Sequence, residues 1–273
     1  MSSKVLGLVS QECLDKFMAF DLEKSCVTEF MVNGLNMGVM AGALAVKLPQ
    51  IIKILANKSV KGISEASFAL EFIASSLFCI YNMLMRHPFA AWGEMFFISV
   101  QCMIQLILFW WYAPQIDILP RVLLMNLGSF GFMWAMSGQM PQQLLPFLGM
   151  APAILGIAAR LPQIVLNFKQ GSTGKTCEFN WLAGSPIYRN RLRVVMRSIA
   201  GHLAFLTFFL SFMGNLARIF TTLKQLSDPV TLASHGCAAI CNGTIVAQIL
   251  YYWNATKAAN AQEEKSKKAK KEE

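Results

Sequence analysis

The sequence predicts an all-α membrane protein, with seven transmembrane helices arranged as two parallel three-helix repeats joined by a linker helix. Three observations carry that expectation. Hydrophobic residues make up 55% of the 273-residue chain and charged residues only 14%, whereas soluble domains carry about 25% charge. Apolar stretches of about 20 residues, long enough to cross a bilayer core of roughly 30 Å, recur with few charges inside. A Leu-Pro-Gln triplet also occurs twice behind a basic residue, as Lys47-Leu48-Pro49-Gln50 and Arg160-Leu161-Pro162-Gln163, each time closing a long apolar run. Repetition of the whole string marks an internal duplication, and duplicated halves in a membrane chain point to a carrier-like architecture. A soluble fold would need seven apolar core helices with no polar face to solvate them.

Spans are expected at 32–54, 66–85, 92–113, 118–138, 145–168, 203–223 and 230–253. Residues 1–31 then form a lumenal N-terminal segment that lacks the continuous apolar core of a cleavable signal peptide. Its Cys13 and Cys26 either pair in an oxidising compartment or remain free thiols. Residues 32–113 make the first repeat, 118–138 the linker helix, 145–253 the second repeat and 254–273 a lysine-rich tail. The odd linker helix lets both repeats run the same way through the membrane, related by an axis along the membrane normal. Cys79, Cys102, Cys237 and Cys241 fall inside spans, as small packing residues.

Basic residues set the orientation. Lys53, Lys58 and Lys61 follow the first span, Arg121 edges the loop after the third, and Lys169, Lys175, Arg189, Arg191, Arg193 and Arg197 follow the fifth. The opposite loops have Arg86 and Lys224 as their main cations, with Lys4, Lys16 and Lys24 standing against the trend. The bias places the C-terminus in the cytosol and the N-terminus outside it. The net charge of +9 is therefore a cytosolic-face feature, and no basic patch interleaved with aromatics marks a nucleic-acid partner. The mixed-sign tail reads either as a solvated anchor for the last helix or as an address. Lys270 and Lys271, fourth and third from the C-terminus, have the placement of a dilysine retrieval signal for the endoplasmic reticulum. Asn57, Asn242 and Asn254 open glycosylation sequons that are expected to stay unmodified, two being cytosolic and one intramembrane.

Each proline removes a backbone hydrogen bond and bends its helix near the cytosolic end. Gln50 and Gln163 are expected to satisfy the backbone groups so freed. Two bent helices side by side either gate the space between the repeats or form a fixed kink. Lys47 and Arg160 occupy equivalent positions, and they either snorkel to the headgroups or meet a phosphate at a substrate entrance. Glu71 and Glu94 lie within spans and are expected to pair with cations. Arg218 either neutralises Glu94 or meets phosphate. Gln101 and Asn242 sit at corresponding depths of the two repeats and offer either interhelical hydrogen bonds or directional partners for a sugar. Gly34, Gly38 and Gly42 recur on one helical face, a packing surface within or between subunits. Gly171-Ser172-Thr173-Gly174-Lys175-Thr176 lacks the first glycine and the preceding strand of a phosphate-binding loop.

The paired Lys-Leu-Pro-Gln and Arg-Leu-Pro-Gln strings resemble the PQ-loop repeat proteins. Further strings narrow the resemblance to one branch: residues 42–50, Trp92-Gly93-Glu94, Leu216-Ala217-Arg218-Ile219-Phe220, Cys241-Asn242-Gly243 and Tyr252-Trp253-Asn254-Ala255. The likeness runs from near residue 30 to residue 256. It implies a protein of the endoplasmic reticulum that makes dolichol-phosphate-mannose and dolichol-phosphate-glucose usable by lumenal glycosyltransferases for N-glycan, O-mannose and GPI-anchor synthesis. Relatives in the wider group place an asparagine like Asn242 in a sugar pocket. One stretch departs from the family, whose members pass almost directly from the second loop into the next helix. Here 175–201 is polar and Arg-rich, and it is either a lineage-specific cytosolic elaboration or intron sequence carried into the coding frame. Its lack of apolar periodicity and its clean interruption of a repeat favour the second.

Four functional classes follow. A carrier or scramblase of lipid-linked sugar fits the duplication best. A non-transporting accessory protein for glycosyltransferases, or a self-associating one, fits the glycine-spaced face. A soluble-sugar carrier fits the wider group. An enzyme fits least, since no nucleophile–base pair, carboxylate dyad or metal cluster assembles from these spans, and no cofactor is implied.

Overall fold

The computed structural model describes residues 4–5, 9–20, 23–60, 64–113, 118–171, 173, 192–256 and 258. Two short strands, β1 (Lys4–Val5) and β2 (Val9–Ser10), open the chain. Helices follow as α1 (Gln11–Met18), α2 (Lys24–Val46), α3 (Leu48–Asn57), α4 (Glu65–Leu84), α5 (Gly93–Tyr112), α6 (Ile118–Met136), α7 (Leu145–Gln170), α8 (Leu192–Gln225) and α9 (Pro229–Tyr251). Single 3-10 turns at Phe89–Ala91 and Gln142–Leu144 lead into α5 and α7. One compact unit comprises 1–59, 65–152 and 217–234, and the other 60–64, 153–216 and 235–273. In the first unit α5 packs along α2, α3 and α4, and α6 packs against α4.

The protein is a multi-pass, helical membrane protein. Six helical stretches are long and apolar enough to cross a bilayer: Lys24–Asn57, Glu65–Leu84, Gly93–Tyr112, Gln142–Lys169, Phe205–Gln225 and Pro229–Tyr251. The polarity is inside out. Large apolar side chains face outward, among them Ile52 at 61% exposed, Leu127 at 68%, Phe130 and Met133 at 71%, and Ile240 at 71%. Meanwhile Asn36, Asn82, Gln105, Asn167 and Asn242 are at most 1% exposed. Water would reverse this arrangement, whereas lipid accepts an apolar exterior and drives amides into the interior, where they find partners.

Two expectations need correction. The first span is not one helix over 32–54: it begins eight residues earlier, at Lys24, and breaks at Lys47 into α2 and α3. The all-helical expectation holds for the body of the chain, ahead of which β1 and β2 pair antiparallel with Lys4 opposite Ser10, a hairpin too short to leave a periodic signal. The expected span at 118–138 coincides with the 19-residue α6, which is not among the six stretches above. Finally, 192–201 belong to the start of α8, so that part of the Arg-rich stretch is helix and not a polar connection. Its remainder, 175–191, and the lysines Lys270 and Lys271 of the tail lie outside the described residues.

Ahead of the first span, Cys13 on α1 and Cys26 in the first turn of α2 are joined in a disulfide, with Leu14 and Phe17 packed against it. Lys16 bridges Glu23 at 2.5 Å and Glu12 at 3.3 Å. These hydrogen-bonded carboxylates raise the Lys16 pKa, and the same bond lowers that of Glu23. The disulfide closes a loop of 13 residues, a length for which chain entropy predicts about 3 kcal/mol of stabilisation. Replacing Cys13 and Cys26 with Ser should therefore make residues 1–23 sensitive to protease while the spans stay protected. Limited proteolysis followed by mass spectrometry reads this directly.

Asp228 shows how one end of the first unit is fixed. It caps α9: Oδ2 accepts the Thr231 amide at 2.9 Å and Oδ1 the Val230 amide at 3.4 Å, with Pro229 at the first helical position. The Tyr81 hydroxyl donates to both carboxylate oxygens at 2.9 and 3.0 Å. Burial alone would raise the carboxyl pKa, yet the Thr231, Tyr81 and Val230 hydrogen bonds together hold it below its ordinary 3.8. Gly149 of α7 lies so close that an added Cβ would stand 2.6 Å from Val230 and 3.0 Å from Tyr81. Asp228→Ala should cost about 1–2 kcal/mol from the lost cap, more with the stranded Tyr81 hydroxyl. Because the folded pKa is depressed, the carboxylate's contribution is complete above pH 3.8 and is lost as pH falls through the lower folded value. The wild type and Asp228→Ala should converge in thermal stability only in that acid range.

Candidate functional site

The break in the first span is built by three residues in sequence. Lys47 leaves the helical path with φ −96° and ψ −11°, and Pro49 occupies the first turn of α3. There its missing N–H costs nothing, while in a continuous helix its ring would meet the carbonyl of Ala45. The opening exposes the amide of Lys47 and the carbonyl of Ala43, four residues apart and partners in an unbroken helix. The side-chain amide of Gln101 on α5 fills the gap. Its Oε1 accepts the Lys47 N–H at 3.1 Å and its Nε2 donates to Ala43 O at 2.9 Å. A side chain inserted into the ladder is a recognised cause of a helix kink.

This places the candidates of the first unit. Gln101 is committed to backbone groups on α2 and on its own helix, with a further bond to Phe97 O at 3.2 Å. Gln50 does not satisfy the backbone freed by Pro49, contrary to expectation: its Oε1 accepts from Gln105 Nε2 at 2.9 Å. Gln105 Oε1, one helical turn beyond Gln101, is buried without a partner among the described residues. Lys47 Nζ meets Glu71 Oε2 at 2.6 Å, with the lysine 14% and the glutamate 43% exposed. The cation at the break therefore has a carboxylate partner on α4 that remains open on one side.

A second network crosses the same unit. Arg218 on α8 pairs with Glu94 on α5 through Nη2 and Oε2, donates through Nη1 to Asn36 Oδ1 at 2.7 Å, and approaches Ala90 O at 3.4 Å. Asn36 donates onward to Gln225 Oε1 at 2.9 Å. Arg218 and Glu94 are 3% and 5% exposed, so the pair is wholly desolvated. The pairing of Arg218 with Glu94 follows the sequence; the amides around it do not announce themselves there.

The second unit differs. Here α7 runs unbroken through Arg160, Pro162 and Gln163, although Pro162 denies Ala158 O its usual partner. Arg160 Nη1 donates to Gly156 O at 3.3 Å. Gln163 Nε2 and Asn242 Oδ1 are both buried without a hydrogen-bond partner among the described residues, so Gln163 does not repair the ladder either. Gln248, which the sequence does not single out, donates to Ile164 O at 3.0 Å and accepts from Asn167 at 2.9 Å. In the first unit Gln101 is matched to the break, while Gln105 Oε1 has no partner among the described residues. In the second an amide donor and an amide acceptor remain open, a surplus that suits a polyhydroxylated ligand.

Gly34, Gly38 and Gly42 have nothing within 4 Å of where a Cβ would sit, so their face is not a helix contact within the described residues. Residues 31–91 match the family model for the PQ loop repeat, a stretch running from α2 through the break, α3 and α4 to the turn before α5. The chain thus carries a PQ-loop repeat, whose presence points to a transporter-like function in a membrane.

Proposed function

We propose that the protein enables use of dolichol-phosphate-mannose and dolichol-phosphate-glucose in the endoplasmic reticulum, by moving or presenting the lipid-linked sugar to lumenal glycosyltransferases. The strings at 42–50, 92–94, 216–220 and 241–243 resemble the mannose-P-dolichol utilization defect proteins. The observation that carries the carrier reading is the break at Lys47, because a discontinuous helix with a matched amide plug has two discrete arrangements, open or closed, and alternating access needs such an element. Lys47, Pro49 and Gln50 form the moving part; the equivalent Arg160, Pro162 and Gln163 lie in the continuous α7 and line the substrate path as gating candidates. Asn242 offers hydrogen bonds to the sugar. Arg218 ties the middle of α2, at Asn36, to the start of α5, at Glu94. No covalent step is involved, so the protein is not an enzyme.

The orientation rests on two independent supports. The Cys13–Cys26 disulfide belongs in an oxidising lumen, and the basic loops belong in the cytosol. Opposite sides for the two termini require an odd number of crossings, so α6 joins the six long apolar stretches as a seventh.

The deciding assay reconstitutes the purified protein in liposomes with a short-chain dolichol-phosphate-mannose. Transbilayer movement faster than in empty vesicles is expected, and its absence defeats the carrier reading. The open glycine face favours a second reading, an accessory protein that docks a glycosyltransferase there or self-associates. Crosslinking through Gly38→Cys that captures such an enzyme, together with inactive liposomes, would decide for it.

A further inference from the structure

We infer that the groove between the end of α5 and the start of α6 is a binding site for the phosphate of an anionic phospholipid in the surrounding leaflet. The groove has a volume of about 480 Å³ and is lined by Trp110, Arg121, Val122, Met125 and Asn126. At about 30 Å³ per water, that is ample for a phosphodiester headgroup. Its base is a three-helix cluster. Glu65, the first residue of α4, accepts Trp110 Nε1 at 2.6 Å and Arg121 Nε at 3.1 Å, and its second oxygen accepts Arg121 Nη2 at 3.4 Å. The Arg121 guanidinium carbon stands 5.4 Å from the Trp110 ring centroid.

The chemistry points to a lipid. An end of each of three helices meets here, and a tryptophan with an arginine marks the headgroup level. Glu65 occupies the Nε and Nη2 side of the guanidinium, which holds five N–H donors in all, so the donors on Nη1, without an acceptor among the described residues, are left for an oxyanion. Arginine is the side chain best fitted to hold two acceptors in a plane. Val122 and Met125 supply the apolar wall along which an acyl chain descends, a feature that free phosphate does not need. The site is separate from the break at Lys47 and does not rest on the sugar-donor reading.

Opposite responses of one ion pair test the inference. Full-length protein in phosphatidylcholine nanodiscs doped with phosphatidylglycerol is released into native mass spectrometry, and retained phosphatidylglycerol is counted. Arg121→Gln should lower retention about tenfold, the size of one charge-assisted hydrogen bond. Glu65→Gln should raise it several-fold, because it frees the guanidinium from its competing carboxylate. Arg121→Lys should keep part of the binding. A merely structural pair predicts that both neutral variants fall together, and that result overturns the proposal. Retention indifferent to Arg121, or full displacement by millimolar inorganic phosphate, overturns it too.

Discussion

Replacing Arg218 with Met should destabilise the protein by about 3–5 kcal/mol, read as a lowered Tm of the purified protein in detergent. Removal of the guanidinium leaves Glu94, 5% exposed, as a charge without a counterion in a medium that cannot hydrate it. It also strands Asn36 Oδ1 and Ala90 O, both of which accept from Arg218. Glu94→Leu alone leaves the opposite charge and should cost a similar amount. The double variant R218M/E94L removes both charges and should recover most of the loss, since a buried ion pair replaced by apolar groups of similar volume is often neutral. What remains is the orphaned Asn36 carbonyl, about 1–3 kcal/mol. The double variant also separates fold from function: if the pair only holds helices together, the stable double variant should still support transport in liposomes. If it is part of the moving machinery, the double variant should be stable and inactive. Equal stabilities for the single variants and the wild type would show that the pair is not desolvated as its geometry requires.

The spans were legible because their signal is additive over about twenty residues; α4, α5 and α9 begin and end within two residues of expectation. The break at Lys47 was half legible. Pro49 announces a bend, yet the same proline at 162 sits inside the continuous α7, so the motif alone does not determine whether a helix parts. The difference lies across the helix interface. On α5, Gln101 supplies both a donor and an acceptor to the opened ladder, whereas Asn242 on α9 leaves its Oδ1 without a partner among the described residues. That information is not local to the Pro-Gln string. The spacing of Gln101 and Gln105, one turn apart on one face, was the available clue that α5 plugs the break. Asp228 and Tyr81 are 147 residues apart, so only their shared position at a helix end in three dimensions joins them.

Replacing Gln101 with Leu should partly close the break and suppress transport while leaving the spans inserted. The Lys47 amide and the Ala43 carbonyl are spaced as helical partners, so once the plug is removed the lowest-energy repair is a direct bond between them. A break that stayed open would instead leave two polar groups unpaired at about 1–3 kcal/mol each. Pro49 opposes complete closure, because its ring still meets Ala45 O. The expected order of straightening is therefore the wild type, then Gln101→Leu, then Q101L/P49A. Spin labels at Met37 and Ile52, both outward-facing at 48% and 61% exposure, report it as a distance that lengthens through the series. Transport should fall in the same order. Pro49→Ala by itself should straighten the break and reduce transport less than Gln101→Leu does, since Gln101 still holds the ladder apart. A Gln101→Leu protein with an unchanged distance and full activity would show that α5 does not hold the break open.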